Sequence, residues 1–184
     1  MFLFSDMQSE EPDDQARETF RQARGAIIAA LKGACLHLVD TEGFTGQNAV
    51  EKITADSKPL PKYCPEKRVG AFGVNVQLYH GLLGKPHRTN FVLVRPPWPE
   101  PFAADLRVQN TSGTAFQKID FWFNTAKKCP FRCALILAGS VMDSVAHAHV
   151  ERLLAESGGK IFVFWSLEQF REWLASGAPY PFAQ

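Results

Sequence analysis

The chain has 184 residues, 46% of them hydrophobic and 12% aromatic, which is enough for one domain with a substantial core. Its formal net charge is +1, so the overall charge points to no polyanionic partner. No apolar run approaches the ~20 residues that cross a membrane. We also expect no signal peptide, because the N-terminal apolar stretch is too short and too acidic for one.

The charges are distributed unevenly along the chain. Residues 1–20 contain six acidic side chains and one basic one. Residues 58–95, which we call the basic block, carry seven Lys and Arg against Glu66 alone. A basic block fits the binding of a polyanion, and an ordinary solvated surface is the open alternative.

Four cysteines are scattered through the sequence, at positions 35, 64, 129 and 133. They form no CxxC pair, and the spacing of Cys129 and Cys133 has no matching His pair for a zinc site. We therefore predict buried, reduced thiols, which favour a cytoplasmic protein.

The residue pattern in the first half of the chain predicts two helices followed by a strand. A helix begins near Pro12, and helical spacing of apolar residues continues it to Leu38. A short helix follows through Val50 and Ile53, and a proline-rich loop spans 57–68. Residues 72–79 then alternate apolar and polar, which is typical of a half-buried strand.

Two more strands and a helix are predicted next. Residues 90–94 form the second strand, and four prolines between 96 and 101 form a rigid loop. In a third strand at 105–109, Asp105, Arg107 and Gln109 share one face. Thr114 and Gln117 form a capping box that opens a helix over 114–126.

The remaining elements alternate between strand and helix. A continuous apolar run at 134–138 suits a strand buried on both faces. A helix capped by Asp143 follows, and then a strand at 160–165. A capping box of Ser166 and Gln169 opens a last helix, which Gly177 ends. This order predicts a mixed central sheet flanked by helices, in the α/β class.

The αβββαβ order within this series resembles that of the restriction-endonuclease-like nucleases, the PD-(D/E)XK superfamily. The run ending in Asn90 and Phe91 resembles the strand that supplies the first metal-binding Asp. Asp105-Leu-Arg107 looks like the (Asp/Glu)-x-Lys signature, and the run at 112–118 is similar to an SGTA-x-x-K sequence of some relatives. The resemblance covers roughly residues 44–176. It implies a nuclease-like domain at 44–184. The extra N-terminal helix would form a helical extension at 1–43.

This resemblance implies a Mg²⁺-dependent endodeoxyribonuclease. Asp105 would bind the metal with help from Asn90, and Arg107 would neutralise the scissile phosphate. Glu42 or Glu51 is the candidate for a second carboxylate, since related sites sometimes take one from that region. Two further side chains, Gln109 and Lys118, would position groups nearby. Duplex DNA would be contacted by basic residues of the block: Lys62, Lys67, Arg68, Lys85, His87 and Arg88.

The sequence departs from the family pattern at the positions that matter most. Asn90 replaces the expected Asp, which removes one charge, and Asp105 is shorter than the common Glu. Arg107 replaces Lys and cannot act as a base, because its pKa stays above ~12. The alternative is therefore a catalytically inactive pseudo-nuclease that binds DNA or protein within a larger complex, and a homodimer stays open. A third alternative is an unrelated α/β domain.

Aromatic and histidine residues outside this motif have plainer interpretations. We predict that Trp122 belongs to the core or to a helix surface, rather than to a platform that stacks bases. His147 and His149 do not share a helical face and are predicted to be solvated.

Overall fold

The structure, a computed structural model, describes residues 14–57, 70–81, 84–109, 115–139 and 144–181. Helices and strands alternate along this part of the chain. In chain order the elements are α1 (Asp14–Gly33), β1 (Leu36–Leu38), α2 (Gly46–Asp56), β2 (Gly70–His80), β3 (Pro86–Val94), β4 (Phe102–Gln109), α3 (Ala115–Ala126), β5 (Cys133–Gly139), α4 (Ser144–Ala155), β6 (Ile161–Phe164) and α5 (Leu167–Ser176).

The described strands form one mixed sheet in the order β1-β2-β3-β4-β5-β6. β2, β3 and β4 pair antiparallel, whereas β1 with β2, β4 with β5 and β5 with β6 pair parallel. The series from α2 to β5 is therefore the predicted αβββαβ order, and α1 is the predicted additional helix. This confirms the fold class expected from the sequence.

Helices cover both faces of the sheet, so the core has two halves. On one face, side chains of α2, α3 and α4 pack on the strands, including Ile53, Trp122 and Val150. On the other face, α1 and α5 pack through residues such as Ile27 and Phe170. β4 lies between the two halves and is buried on both sides.

The first helix ends earlier than its apolar pattern predicts. The prediction that it continues to Leu38 is wrong, because α1 ends at Gly33 and β1 follows. Cys35 adopts a left-handed backbone conformation with φ of 61°, and its carbonyl accepts a hydrogen bond from Gly70 N. Backbone partners on β2, which no local pattern shows, convert this segment to a strand. The domain boundary at residue 44 stays a prediction, although α1 shares its core with β4 and α5.

Local signals placed the last helix well. Ser166 Oγ accepts a hydrogen bond from Gln169 N at 3.2 Å, and the side chain of Gln169 accepts one from Trp165 N at 2.8 Å. Gly177 ends the helix with φ of 73°. The other two predicted caps, Thr114 and Asp143, lie outside the described residues.

The thiols behave partly as predicted. Cys129 and Cys133 are buried and free, and Cys35 is free but half-buried; Cys64 lies outside the described residues. The hydrogen bond with Cys129, together with burial, raises the pKa of the Cys133 thiol. In the part of the chain that the structure describes, no helix is both long and apolar enough to cross a membrane.

Candidate functional site

β3 and β4 separate from each other halfway along their length. Their backbone ladder consists of the pairs Leu93–Phe102, Val92–Ala103 and Phe91–Ala104. Beyond this point β3 continues along β2 only, and β4 continues along β5 only. Asn90 and Asp105 are the first residues after the ladder ends. We call this point the fork.

At the fork, side chains replace the missing ladder bonds. Asp105 Oδ1 accepts a hydrogen bond from Asn90 N at 2.8 Å, and Asn90 Oδ1 accepts one from Leu106 N at 2.8 Å. Both N–H groups would otherwise face the gap between the strands without a backbone acceptor, which is costly when they are buried. The two residues expected to hold a metal ion therefore join the strands.

The carboxylate of Asp105 collects further hydrogen bonds. Oδ2 accepts one from Trp122 Nε1 at 2.8 Å and lies 2.9 Å from His87 Nε2. Because a carboxylate oxygen accepts, Nε2 carries the proton in this contact. The side chain of Asp105 is only 7% exposed and that of His87 is 15% exposed. His87, Asn90, Asp105 and Trp122 form what we call the Asp105 network.

Tyr79 of β2 lies beside this network. Its ring is 4.9 Å from the imidazole of His87, measured between centroids. Burial raises the pKa of the Tyr79 hydroxyl, nearby Cys129 and Asp105 raise it further, and the charge of Arg107 acts in the opposite direction. Tyr79 is therefore a neutral phenol, and Arg107 lies within electrostatic reach of it.

The oxygen atoms at the fork do not fit a hydrated Mg²⁺ ion. An ionised carboxylate offers about four acceptor positions, and N–H groups take three of those on Asp105. Mg²⁺ keeps several of its water ligands and needs open oxygen ligands, whereas Asp105 is buried. Among the described residues, no three His, Cys, Asp or Glu side chains converge closely enough to hold a metal ion.

The two candidates for a second carboxylate lie in other surroundings. Glu42 lines a cleft of about 730 Å³ next to β1 and β2, together with Asn75 and Arg88. Glu51 is exposed on α2, where Gln47 Nε2 donates to it at 3.5 Å. Within the described residues, neither joins His87 and Asp105 in a group able to hold a metal.

Exposed cations flank the fork on both strands. Arg88 lies two residues before Asn90, and Arg107 lies two residues after Asp105. Lys85 precedes β3, and Lys118 lies on α3. All four are exposed, and in the described part of the chain none of them forms an ion pair.

Four other predicted residues have no described side chain. Gln109 pairs with Gly139 through its backbone at the end of β4, but its side chain lies outside what the structure describes. Lys62, Lys67 and Arg68 lie wholly outside the described residues. Their assignments as catalytic or DNA-contacting groups stay predictions.

The sequence interpretation missed the roles of His87 and Trp122. It groups His87 with the residues that contact DNA, whereas the structure places the imidazole against Asp105. β3 begins at Pro86, not at Asn90, and a proline can be the first residue of a strand. Trp122 is 1% exposed, as the core prediction requires. A buried indole N–H needs an acceptor, which is the signal that could have linked Trp122 to a polar residue.

A second Asp–His pair lies on the surface between α3 and α4. His149 Nε2 is 2.6 Å from Asp120 Oδ1, and Arg152 Nη2 is 3.0 Å from His149 Nδ1. Because a guanidinium only donates, Nδ1 accepts and Nε2 donates to Asp120. The prediction that His149 is simply solvated is wrong, because both ring nitrogens contact side chains of the protein and the side chain is only partly exposed. His147 is exposed, and its ring stacks on Trp165 at 3.9 Å.

Comparison with known proteins gives one match. A profile that describes the PD-(D/E)XK nuclease superfamily domain matches residues 24–177, from the middle of α1 to the end of α5. No curated protein and no solved structure matches the chain.

Proposed function

Because the chain belongs to the PD-(D/E)XK nuclease superfamily, we propose that it is a DNA-binding domain that keeps the nuclease fold without metal-dependent cleavage. One observation carries this proposal: both carboxylate oxygens of Asp105 are held by N–H groups. Members of this superfamily usually use a divalent metal, and such an ion needs carboxylate oxygens that are free to bind it.

The other two motif positions support the same conclusion. Asn90 contributes no charge, and its carbonyl oxygen accepts a hydrogen bond from Leu106 N. Arg107 neutralises charge but cannot take a proton from water. The fork therefore holds one buried carboxylate where hydrolysis of a phosphodiester would need an open metal site and an activated water.

Exposed cations support binding to duplex DNA. Arg88 and Arg107 lie on the two strands of the fork, Lys85 precedes β3 and Lys118 lies on α3, and all four are exposed. The rest of the basic block adds further positive charge. Cations without acidic partners can neutralise phosphates and release the counterions that surround DNA. We place this function in the cytoplasm, where reduced thiols persist. The proposal includes binding to a protein partner or to a second copy of the chain.

Fluorescence anisotropy with a labelled duplex tests DNA binding. We expect the logarithm of the binding constant to fall linearly with the logarithm of salt concentration. Arg88→Gln and Arg107→Gln should each weaken binding to all sequences and reduce the slope by about one. Arg21→Gln is the control, since Arg21 is an exposed cation of α1 that is already paired with Glu18. Binding that does not depend on salt, or that responds equally to Arg21→Gln, would refute the proposal.

A plasmid assay tests the loss of cleavage. Supercoiled plasmid incubated with the protein and Mg²⁺ or Mn²⁺ should show no nicking beyond that of an Asp105→Asn variant. Nicking by the unmodified protein that is lost in a folded Asp105→Asn variant, judged by circular dichroism, would identify an active endonuclease, the other function that the motif implies. The two assays are independent, because a nuclease can bind DNA and still cleave it.

A further inference from the structure

We propose that His87 blocks the metal position, so that His87 and Asn90 together make the fork independent of metal. This inference rests on the proposed function, because it explains how a nuclease fold keeps Asp105 without a bound cation. It assigns a role to a residue that lies outside the family's acidic and basic signature.

The three donors to Asp105 differ in how easily they could be displaced. Asn90 N belongs to the backbone of β3, and Trp122 is fixed in the core at 1% exposure. The imidazole of His87 is a side-chain donor at the edge of the core that retains contact with solvent, at 15% exposure. His87 therefore separates Oδ2 of Asp105 from water, and its removal would open that oxygen.

The number of carboxylates at the fork also explains the role of His87. Two carboxylates at this point would repel each other unless a cation lay between them. With Asn90 in place of the first carboxylate, the N–H donors of His87 and Trp122 are enough to satisfy Oδ2 of Asp105 without a cation. The ring of Tyr79 packs on the imidazole and holds it in this position.

This arrangement predicts what would be needed to restore metal binding. Asn90→Asp alone adds the missing charge, and the new side chain can still accept the hydrogen bond from Leu106 N. His87 would still occupy Oδ2, so this variant should bind a divalent cation only weakly. Asn90→Asp combined with His87→Ala supplies a second carboxylate and opens the first one.

Metal titrations in the absence of DNA test this proposal. Mn²⁺ binding is measured by isothermal titration calorimetry and by tryptophan fluorescence, because Trp122 donates directly to Asp105 and reports changes there. We expect the double variant to bind Mn²⁺ about tenfold or more tightly than Asn90→Asp alone. Asn90→Asp with His80→Ala is the matched control, since His80 is an exposed histidine at the end of β2.

Three results would overturn the inference. One is a folded double variant, judged by circular dichroism, that binds Mn²⁺ no better than Asn90→Asp alone. Another is equal binding by the His80→Ala control. The third uses the unmodified protein and so does not depend on any double variant folding: saturable Mn²⁺ binding that is absent from an Asp105→Asn variant with a folded circular dichroism spectrum. Because no DNA is present, these results are separate from the test of DNA binding.

Discussion

Two Asp–His pairs in this protein have similar geometry and different surroundings. His149 Nε2 lies 2.6 Å from Asp120, and His87 Nε2 lies 2.9 Å from Asp105. The shorter contact is the more exposed one, since the side chain of Asp120 is 44% exposed and that of Asp105 only 7%. The distance between the two groups therefore does not indicate which pair matters more for stability.

What separates the pairs is the number of groups that depend on each carboxylate. Asp105 satisfies N–H groups of a backbone, an indole and an imidazole, and it joins two strands to α3. Asp120 lies where water can replace it as the acceptor for His149. A buried donor that loses its acceptor costs more than an exposed one, so the comparison can be tested by removing each carboxylate in turn.

The largest difference is expected from replacing the two aspartates by alanine. Asp105→Ala should lower the free energy of unfolding by about 3–5 kcal/mol, because several buried polar groups lose their partner. Asp120→Ala should lower it by about 1 kcal/mol or less, as is usual for exposed pairs. Urea denaturation monitored by circular dichroism measures both. Equal losses would show that burial does not distinguish the pairs.

A smaller effect is expected from removing the indole donor. Trp122→Phe should destabilise by about 1–3 kcal/mol, since it deletes one hydrogen bond and leaves a cavity. A double-mutant cycle with Asp105→Asn should give a coupling energy of about 0.5 kcal/mol or more. Trp98→Phe is the comparison, because Trp98 donates to Gly177 O at 3.2 Å and is only half-buried. No coupling between positions 105 and 122 would contradict the network.

The smallest effect concerns salt. Raising NaCl from about 0.1 M to about 1 M shortens the Debye length from roughly 10 Å to roughly 3 Å. The contact between Asp120 and His149 is exposed and lies beside the charged Arg152 guanidinium, so its coupling should weaken. The coupling between Asp105 and His87 should change little because that pair is buried. Double-mutant cycles at both salt concentrations measure this, with unfolding monitored in urea. If both couplings weakened to the same extent, the pair at the fork would be open to solvent.

The sequence predicted elements best where their signals are local. The capping box of Ser166 and Gln169 and the terminal Gly177 place α5 correctly, because cap and helix are adjacent in sequence. β1 was missed, since the backbone groups that make Leu36–Leu38 a strand come from β2, more than thirty residues later. The helical spacing of Leu31, Ala34 and Leu38 gave the opposite indication.

At the candidate site, the motif predicted which strands meet. Asn90 and Asp105 were expected on neighbouring strands, and the structure joins them by a hydrogen bond at 2.8 Å. The sequence could not show that His87 and Trp122 complete the same network. Their contacts with Asp105 span 18 and 17 residues. The first depends on how β3 lies beside β4 and the second on how α3 packs on the sheet.

The amino-acid sequence by itself therefore determined the fold class and the substitutions at the motif, because periodicity, caps and residue identity are local properties. Tertiary structure decided what the remaining carboxylate of Asp105 does. Its environment depends on burial and on N–H groups that β3 and α3 bring to it. An aspartate in solvent and an aspartate enclosed by hydrogen-bond donors are the same residue in the sequence. Only the folded chain distinguishes an open metal ligand from an internal hydrogen-bond acceptor.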